Sequence, residues 1–479
     1  MPEIPFRKIV AIVKRVLPKS FWAGMPISIK QLVYLFEAIF ASVYFGSIAT
    51  KSRFLSEAKS SSFGSIATKI RPLLKVIGVT GTDGKTTTAY FIYSILKAAG
   101  KKVALISTIG AKVGDKDIDT GFHVTTPDSW ELQKFIKRIA DEKNEYLVLE
   151  VTSHALDQHR VFGIPFEVGV LTNITHEHLD YHRTFENYVK SKAKLFQLAK
   201  VSILNKDDPS FERLSKVAKQ FFWYSRSESV DLTPSGNLRG LSVNLGGLDE
   251  SELKKHAIQI KLLGDYNWSN ALAAALTARS LNIGWEDIKA GIEAVSFIPG
   301  RMEEIVNNKG FRIFVDFAHT PNALEQVLKL SSKFNPPAGG QISKLIVVFG
   351  CAGERDKTKR PIMGEIAGRL SDISILTAED PRTEDLNQIL GEIAQGVRKY
   401  LPEVRYHDLN HDNKIENKGG KYFIKIPDRK KAIELALQVA KNGDCVIITG
   451  KGHERSMCFG EMEYPWSDQE IVKNILKGV

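Results

Sequence analysis

The stretch Val76–Thr88, VIGVTGTDGKTTT, decides the fold of this chain. Its first residues, Val76–Thr80, predict a buried strand, a glycine turn follows, and Gly-Lys-Thr-Thr begins a helix. Backbone N–H groups in such a turn point inward and cradle phosphate oxygens, and the N-terminus of the helix adds a favourable dipole. The stretch therefore predicts a nucleotide-binding site on an α/β fold.

Two side chains of this stretch have expected roles at the phosphates. Lys85 is expected to reach the β and γ phosphates of ATP, and Thr86 to bind Mg²⁺. The spacing departs from the standard Walker pattern, because Val79 occupies the position of its first glycine. A simple glycine turn in an α/β sheet is the alternative, but it does not need Gly-Lys-Thr-Thr after a continuous apolar strand. The predicted ATP-binding residues of the loop are Gly81, Thr82, Asp83, Gly84, Lys85, Thr86 and Thr87.

Beyond the loop, short apolar runs alternate with helical segments, which predicts mainly parallel sheets covered on both faces. Helices are predicted at Thr86–Ala99, Tyr188–Leu198 and Trp268–Leu281, with short strand-like pieces at 226–263. A second series begins after Pro299-Gly300. The predicted strands are Val76–Thr80, Val103–Ser107, Tyr146–Val151, Val168–Asn173, Val201–Asn205, Phe311–Phe317, Leu345–Phe349, Ile373–Thr377 and Cys445–Thr449.

Length and cysteine content narrow the class of protein. A chain of 479 residues suggests two or three domains, at roughly 100 to 200 residues per domain. The predicted division is a helical segment at 1–74, a central ATP-binding domain at 75–298 and a C-terminal Rossmann-like domain at 299–479. Cys351, Cys445 and Cys458 have neither zinc-ligand nor CxxC spacing, so we expect no disulfide framework and a reduced, cytoplasmic compartment.

The positive charge is concentrated at the N-terminus. Residues 1–75 contain twelve Lys/Arg and three Asp/Glu, a net of +9 out of +11 for the whole chain. No nucleic-acid-binding signature accompanies this charge. The segment also contains a basic amphipathic stretch, Ile9–Leu17, and an apolar run, Leu32–Ala49, interrupted by Glu37. We therefore expect a packed helical hairpin or a peripheral contact with an anionic membrane surface, rather than a spanning helix. The repeated FGSIATK, at Phe45–Lys51 and Phe63–Lys69, has no functional account.

Ten blocks between Val76 and the C-terminus, in order, resemble the Mur ligases, closest to the MurE-type UDP-N-acetylmuramoyl-tripeptide synthetases. The resemblance implies an ATP-dependent ligase that adds a third amino acid to a UDP-muramoyl dipeptide through an acyl phosphate, in peptidoglycan precursor synthesis. The blocks are TGTDGKTTT, EVTSHALDQHR, TNITHEHLDYH, YVKSKAKLF, GDYNWSNALAA, PGRMEE, VDFAHTPNALE, FGCAGERDKTKRP, EDPRTED and GKGHE.

Glu150 lies at the C-terminal end of a predicted strand and His178 follows another, so both are expected at the same sheet edge. By resemblance, both hold magnesium. Lys192 matches the family's carbamylated lysine, whose modification turns a cation into an anion able to bind Mg²⁺. Its neighbours Lys190 and Lys194 raise the alternative of an exposed basic helix.

The resemblance also assigns the substrate contacts. Hydroxyls and a guanidinium suited to phosphate, sugar and carboxylate match the muramoyl-peptide site, namely Thr125, Thr126, Thr152 and Arg160. Asn267 resembles the residue that reads adenine, and Arg301 and Asp316 resemble residues that approach phosphate and ribose from the C-terminal domain. Such bridging roles predict that the site closes when one domain moves onto the other.

The amino acid expected from the resemblance is meso-diaminopimelate. Arg382 resembles the arginine that takes its distal carboxylate, Arg355 is expected to assist, and Glu454 is expected to accept from its ammonium. Asp380 departs from the family, which usually has asparagine there, so its charge either grips the ammonium or repels the carboxylate. The alternative is that Arg382 pairs on the surface with Asp380, Glu384 or Asp385.

Three alternatives remain open on the sequence. A folylpolyglutamate synthetase or cyanophycin-type ligase shares the ATPase core, and a non-catalytic nucleotide-binding partner shares the fold. Residues 1–74 show no counterpart of the family's uridine-binding domain, so the donor is either UDP-muramoyl dipeptide held by the central domain or a related, lipid-linked carboxylate. We expect a monomer with small-molecule substrates.

Overall fold

The computed structural model describes residues 27–44, 74–113, 116–118, 125–227, 246–334, 343–405 and 420–478. The described part contains two α/β units, each built on a mainly parallel sheet, so the predicted fold class is confirmed. The predictions for Ile9–Leu17 and for both FGSIATK copies lie outside the described residues.

The first sheet has the strand order β4-β3-β2-β5-β1-β6-β7-β8-β9. Only β3 and β4 run antiparallel to their neighbours, as an extension beyond β2. Because β1 lies between β5 and β6, the phosphate loop leaves the sheet at its centre. The strands are β1 (Lys75–Thr80), β2 (Val103–Ser107), β3 (Gly110–Val113), β4 (Lys116–Ile118), β5 (Tyr146–Glu150), β6 (Phe166–Leu171), β7 (Val201–Asn205), β8 (Phe221–Tyr224) and β9 (Gly247–Leu248).

Helices cover both faces of this sheet. Ile77 and Val79 of β1 pack with α2, α9 and α10, while Val76 packs on the opposite face with α3 and α6. The helices of this unit are α1 (Ile27–Tyr44), α2 (Lys85–Ala98), α3 (Ser129–Asp141), α4 (Ser153–Asp157), α5 (Leu179–His182), α6 (Phe185–Leu198), α7 (Phe211–Ser215), α8 (Glu250–Lys255), α9 (Tyr266–Ser280) and α10 (Trp285–Ala294).

The second sheet has the order β10-β11-β15-β12-β13-β14, parallel except for β10. Helices α11, α12 and α13 pack on one face, and α14 and α15 on the other. The elements are β10 (Glu303–Glu304), β11 (Arg312–Asp316), α11 (Pro321–Ser331), β12 (Leu345–Phe349), α12 (Lys359–Leu370), β13 (Ile373–Leu376), α13 (Leu386–Val397), β14 (Tyr422–Lys425), α14 (Arg429–Val439), β15 (Cys445–Thr449), the hairpin β16 (Ser456–Phe459) and β17 (Met462–Pro465), and α15 (Asp468–Lys477).

The prediction of strand-like pieces at 226–263 is wrong at Glu250–Lys255, which forms α8. Asp249 caps this helix, because its carboxylate accepts from Ser251 N at 2.7 Å. A capped turn of charged residues carries no apolar periodicity, so the pattern did not indicate a helix.

Residues 32–44 of the apolar N-terminal run lie in α1, which begins at Ile27 and packs against α3, and residues 45–49 of the run lie outside the described residues. Ala38 and Ala41 are buried, and Gln31 Nε2 donates to Asp157 Oδ1 at 3.4 Å. No helix in the described ranges is long and apolar enough to cross a bilayer. The expectation of a helix packed on the next unit therefore agrees with the structure of 27–44.

Candidate active site

A cavity of about 1010 Å³ lies where the carboxyl edge of the first sheet meets the second unit, and residues of both units line it. The predicted site residues line this cavity, with the exceptions of Gly81, Glu150 and Lys192. Glu150 and Lys192 are 0% and 1% exposed and bond to residues of the cavity wall or of the phosphate loop. The structure thus brings the predicted site residues into one region.

Glycine is required at two points of the phosphate loop. A Cβ atom on Gly81 would lie 1.8 Å from Thr172 Oγ1, and one on Gly84 would lie 2.4 Å from Asn270 Oδ1. Gly84 also has a φ of 79°, a left-handed backbone conformation that residues other than glycine rarely adopt. The loop therefore fits closely between the end of β6 and α9.

Lys85 turns back over the loop, and its Nζ donates to Thr82 O at 2.7 Å. Burial lowers the pKa of Lys85, while Glu150 and Asp83 act in the opposite direction. Across the cavity, Arg301 Nη2 donates to Thr86 Oγ1 at 3.0 Å. Two cations therefore lie around the start of α2, where the dipole already favours phosphate.

Glu150 ends β5 and His178 follows β6, and these two strands flank β1 at the same edge of the sheet. Glu150 Oε2 accepts from Thr108 Oγ1 at 2.9 Å. His178 has φ of 58°, and burial lowers the pKa of its imidazole well below the usual value, with His154 and Lys359 adding to the shift. A neutral imidazole is the form that binds a metal ion.

Lys192 is buried, although the neighbouring lysines of α6, Lys190 and Lys194, are not. Its side chain is 1% exposed, against 60% for the side chain of Lys190, so the alternative of an exposed basic helix does not apply to Lys192. Lys192 Nζ donates to Gly81 O at 2.7 Å, which directs the amine at the phosphate loop. Burial, followed by the charge of Lys85, lowers the pKa of Lys192 well below its usual value.

These donors fit magnesium that is shared with a nucleotide. In the described ranges, no group of three His, Cys, Asp or Glu side chains lies close enough to hold a metal alone. Mg²⁺ usually keeps several waters and takes one or two carboxylates plus substrate phosphates, so it does not need such a cage. Thr86, Glu150 and His178 supply a hydroxyl, a carboxylate and a neutral imidazole around the phosphate loop.

The predicted muramoyl-peptide residues form one hydrogen-bonded group. Thr126 Oγ1 donates to Glu150 O at 2.9 Å, and Thr152 N donates to Thr126 Oγ1 at 3.1 Å. Arg160 Nη1 donates to Thr126 O at 2.7 Å. Thr108 Oγ1 lies 3.0 Å from Thr125 Oγ1, which joins this group to the carboxylate of Glu150.

Helix α1 reaches the same group, which the sequence did not predict. Gln31 bonds to Asp157, and Tyr34 and Glu37 lie near enough to Arg160 to act against the lowering of its pKa by burial. The sequence did not indicate these contacts, because the three side chains lie in a mainly apolar helix, and an apolar helix pattern indicates only that the helix packs on another element.

The predicted nucleotide-binding residues from the second half of the chain line the same cavity as the phosphate loop. Arg301 lies over the ring of Phe317, with 4.6 Å between the guanidinium carbon and the ring centroid. Asp316 accepts from the backbone N–H groups of Met302 and Ala318 at 2.6 and 2.7 Å. Asn267 Nδ2 donates to Leu263 O at 2.7 Å, which fixes the amide at the cavity wall.

The four predicted amino-acid residues lie together at another part of the cavity. Arg382 Nη1 donates to Gly353 O at 2.6 Å, and its Nη2 lies 4.0 Å from Asp380 Oδ2. Asp380 Oδ1 accepts from Lys451 Nζ at 2.8 Å, and Lys451 also pairs with Glu454. Arg382 and Asp380 therefore meet at the limit of ion-pair distance, with side chains that are 22% and 15% exposed, so this pair lies at the cavity wall and not on the open surface.

The other two carboxylates of the surface alternative have different partners. Glu384 pairs with Arg360 and Lys357, and Asp385 caps α13. Asp380 and Arg382 both have positive φ, 41° and 52°, a strained conformation of the kind that clusters at functional sites.

Three buried ionisable groups of this site were missed by sequence reasoning. Lys359 Nζ pairs with Glu177 Oε1 at 3.0 Å across the two units, and both side chains are 3% exposed. Burial raises the pKa of Glu379 to about 8, because the nearby cations only partly offset the desolvation. All three occur inside the quoted blocks, but the partner of each lies far away in sequence.

Sequence profiles and relatives agree with this geometry. The profile described as Mur ligase middle domain matches residues 79–278, and that described as Mur ligase, glutamate ligase domain matches residues 300–452. A Clostridium acetobutylicum protein named UDP-N-acetylmuramoyl-L-alanyl-D-glutamate--2,6-diaminopimelate ligase 1 is 41% identical over 84% of this chain and 78% of its own length. The chain belongs to the Mur ligase family.

Other proteins similar to this Mur ligase carry the same kind of name. A Geobacter metallireducens diaminopimelate ligase is 40% identical over 83% of this chain and 78% of its own length. A solved UDP-N-acetylmuramoyl-L-alanyl-D-glutamate--2,6-diaminopimelate ligase matches with a TM-score of 0.52 and 29% identity, over 89% of this chain and 81% of that one. A pseudomurein peptide ligase from Methanothermus fervidus, at 21% identity and a TM-score of 0.55, covers 85% of this chain and 80% of that one and shares the fold. The prediction of a carbon–nitrogen ligase of the Mur type is confirmed.

We expect Lys85→Met and Glu150→Gln to reduce amino-acid-dependent phosphate release by roughly 10²-fold or more, because each removes charge beside the transferring phosphoryl group. Lys190→Met is the control, since it removes an equivalent but exposed charge from α6. Phosphate release and the midpoint of thermal unfolding should be measured for each variant. Turnover within twofold of wild type in either site variant contradicts the assignment.

Proposed function

We propose that this Mur ligase uses ATP to join 2,6-diaminopimelate, in its meso form, to UDP-N-acetylmuramoyl-L-alanyl-D-glutamate in peptidoglycan precursor synthesis. The names of the relatives support this reaction, and so does the placement of phosphate-loop, donor and amino-acid residues around one cavity. We assign the ATP-binding domain to 75–298 and the amino-acid-binding domain to 299–479. The boundary between residues 298 and 299 falls between the two profile matches, which end at residue 278 and begin at residue 300.

The first step is phosphoryl transfer to the donor. The peptide carboxylate, held near Arg160 and Thr126, attacks the γ-phosphorus of ATP, and the bond to the β–γ bridging oxygen breaks to leave ADP. Lys85 and Arg301 offset the repulsion between the two anions at the start of α2. The product is an acyl phosphate, whose carbonyl carbon is now open to attack by an amine.

The second step forms the amide bond. The amine of diaminopimelate attacks the acyl phosphate, a tetrahedral intermediate forms, and phosphate leaves as the amine loses a proton. Water competes with the amine, so the reaction benefits from a cavity covered by both domains. Contacts across the domains, such as Lys359 with Glu177, hold this cover in place.

Mg²⁺, when bound, screens the phosphate charges during transfer, and we assign Thr86, Glu150, His178 and Lys192 to its surroundings. For Lys192 we propose carbamylation. The reaction needs a neutral amine, and burial favours this form because it lowers the pKa of Lys192 well below its usual value. Carbon dioxide then forms a carbamate on Nζ with loss of one proton, and the new carboxylate faces the phosphate loop.

We expect protein equilibrated with ¹³C-bicarbonate to show one carbamate carbon signal by NMR, because a buried neutral amine reacts with carbon dioxide. Lys192→Arg should lose this signal, since a guanidinium stays protonated, while Lys194→Arg on the same helix should keep it. A wild-type spectrum without the signal, or an unchanged spectrum for Lys192→Arg, rules out the modification at this residue.

The choice of diaminopimelate rests on paired guanidinium groups in the amino-acid site. Burial, followed by the charge of Arg382, lowers the pKa of Arg355, so these two cations lie near each other at the cavity wall. The distal carboxylate of diaminopimelate relieves this repulsion and accepts two parallel hydrogen bonds from Arg382. Its distal ammonium has Asp380 and Glu454 as acceptors. Lysine offers only the ammonium and brings no carboxylate to the two guanidinium groups.

We expect kcat/KM to favour meso-diaminopimelate over L-lysine by at least about 10²-fold, because a polar site rejects an analogue that lacks the group it binds. Arg382→Ala should remove most of this preference by lowering the value for diaminopimelate. Arg369→Ala is the matched control, because Arg369 pairs with Glu325 on the surface. Equal values for the two amino acids, or a preference for lysine, reject diaminopimelate and leave the ligase assignment intact.

For the N-terminal segment we propose weak contact with an anionic membrane surface. Leu32, Phe36 and Ile39 are 53%, 63% and 37% exposed and follow the spacing of one helix face. The segment 1–75 adds its net charge of +9, and each basic residue near an anionic surface contributes about 1 kcal/mol. Apolar burial and charge together suit reversible binding.

We expect the full-length protein to sediment with vesicles rich in phosphatidylglycerol, less so at high salt, and not with pure phosphatidylcholine vesicles. Replacing Leu32, Phe36 and Ile39 together by serine should lower the bound fraction several-fold, since it removes the apolar part of the contact. A variant that binds as well as wild type, or binding that ignores lipid charge, is incompatible with this contact.

A further inference from the structure

Asp83 places a carboxylate in the phosphate loop, yet both of its oxygens bond to the other domain. Oδ1 accepts from Thr320 Oγ1 at 3.0 Å, and Oδ2 accepts from Asn322 Nδ2 at 2.8 Å. Thr320 and Asn322 lie at the start of α11. An anion here repels phosphate, so the contacts of Asp83 point to a role other than nucleotide binding.

The main chain of Asp83 is held just as firmly by its own domain. Its carbonyl oxygen accepts from Thr172 Oγ1 at 2.6 Å and from Asn173 Nδ2 at 3.1 Å. Its N–H donates to Asn173 Oδ1 at 3.0 Å. Asp83 is therefore fixed to the end of β6 through its backbone and to α11 through its side chain.

The chemistry of the partners fixes the direction of each bond. Thr320 caps α11, where its oxygen accepts from Ala323 N at 3.1 Å, so its single hydroxyl hydrogen remains for Asp83. A carboxylate has only acceptors, so Asn322 must present its amide nitrogen. The N-terminus of an 11-residue helix also favours a negative charge, which Asp83 supplies.

We propose that Asp83 is a positioning residue that locks the C-terminal domain over the phosphate loop. The lock holds α11 against the loop, and the same closed arrangement places Arg301 on Thr86 at 3.0 Å. Loss of the lock through Asn322 thus removes Arg301 from the phosphates while the phosphate loop itself is unchanged. This inference deepens the proposed ligase function and rests on it for the catalytic consequence.

Exchanging the side chains of Asp83 and Asn322 tests this proposal directly. Asn322→Asp sets two carboxylates against each other in place of a 2.8 Å bond, so it should favour the open arrangement. In the double variant Asp83→Asn with Asn322→Asp, the amide of residue 83 donates to the carboxylate of residue 322, while its oxygen still accepts from Thr320. The double variant has the same composition and net charge as wild type. Asn322→Ala, which removes one bond and adds no charge, should fall between the two.

The closed arrangement should be measured by small-angle X-ray scattering with saturating Mg²⁺ and the nonhydrolysable analogue AMP-PNP. We expect wild type and the double variant to share one radius of gyration and Asn322→Asp to have a larger one. The kcat/KM for ATP should fall roughly 10- to 100-fold in Asn322→Asp. It should recover at least severalfold in the double variant, because the effects of mutations at two residues in contact are not additive. Thermal unfolding midpoints identify any variant that fails to fold.

Two results overturn the lock. One is Asn322→Asp with wild-type scattering and wild-type kcat/KM for ATP; the other is a double variant no better than Asn322→Asp in either measurement. Failure of the proposed function is distinguishable, because scattering with AMP-PNP needs neither the muramoyl peptide nor diaminopimelate. An inactive wild type that still closes in an Asp83-dependent way contradicts the ligase assignment alone.

Discussion

The site depends on the geometry of parallel strands, whose carboxyl ends meet at one edge about 4.8 Å apart. In the first sheet, Val79 of β1 is in register with Glu150 of β5, and Thr80 with Leu171 of β6. The loop, the buried carboxylate and the segment leading to His178 are neighbours for this reason. Asp316, in register with Thr449, shows the same arrangement in the second sheet.

How far the sequence predicted this molecule depends on the range of each interaction. The bounds of continuous apolar strands such as Val103–Ser107 and Leu345–Phe349 were predicted correctly, because a run of consecutive apolar residues is enough to indicate a buried strand. The phosphate loop and the candidate site residues were predicted from sequence motifs. The contacts of Asp83 with α11, and of Gln31 with Asp157, join residues 237, 239 and 126 positions apart, and no local pattern encodes them.

Buried charge is the second theme of the structure. Lys85, Lys192 and Lys359 are all shielded from water, and burial works against the charged form of each. Glu177 lies against Lys359 and favours its charged form, whereas Lys192 Nζ donates to the carbonyl oxygen of Gly81 and lies over the ring of Tyr188. Such groups cost stability before substrates arrive, and they are tolerated where binding or chemistry uses them.

Because β15 lies inside the second sheet but comes late in the chain, this sheet is completed late in protein synthesis. This strand, Cys445–Thr449, lies between β11 and β12 and joins the two parts of the second sheet, although it is the last strand of that sheet to leave the ribosome. Until then β11 and β12 present apolar edges that would pair in the finished protein, and such edges are open to aggregation. The first sheet is complete by Leu248, so the nascent chain carries a formed amino-terminal unit while its carboxyl-terminal unit still waits for its central strand.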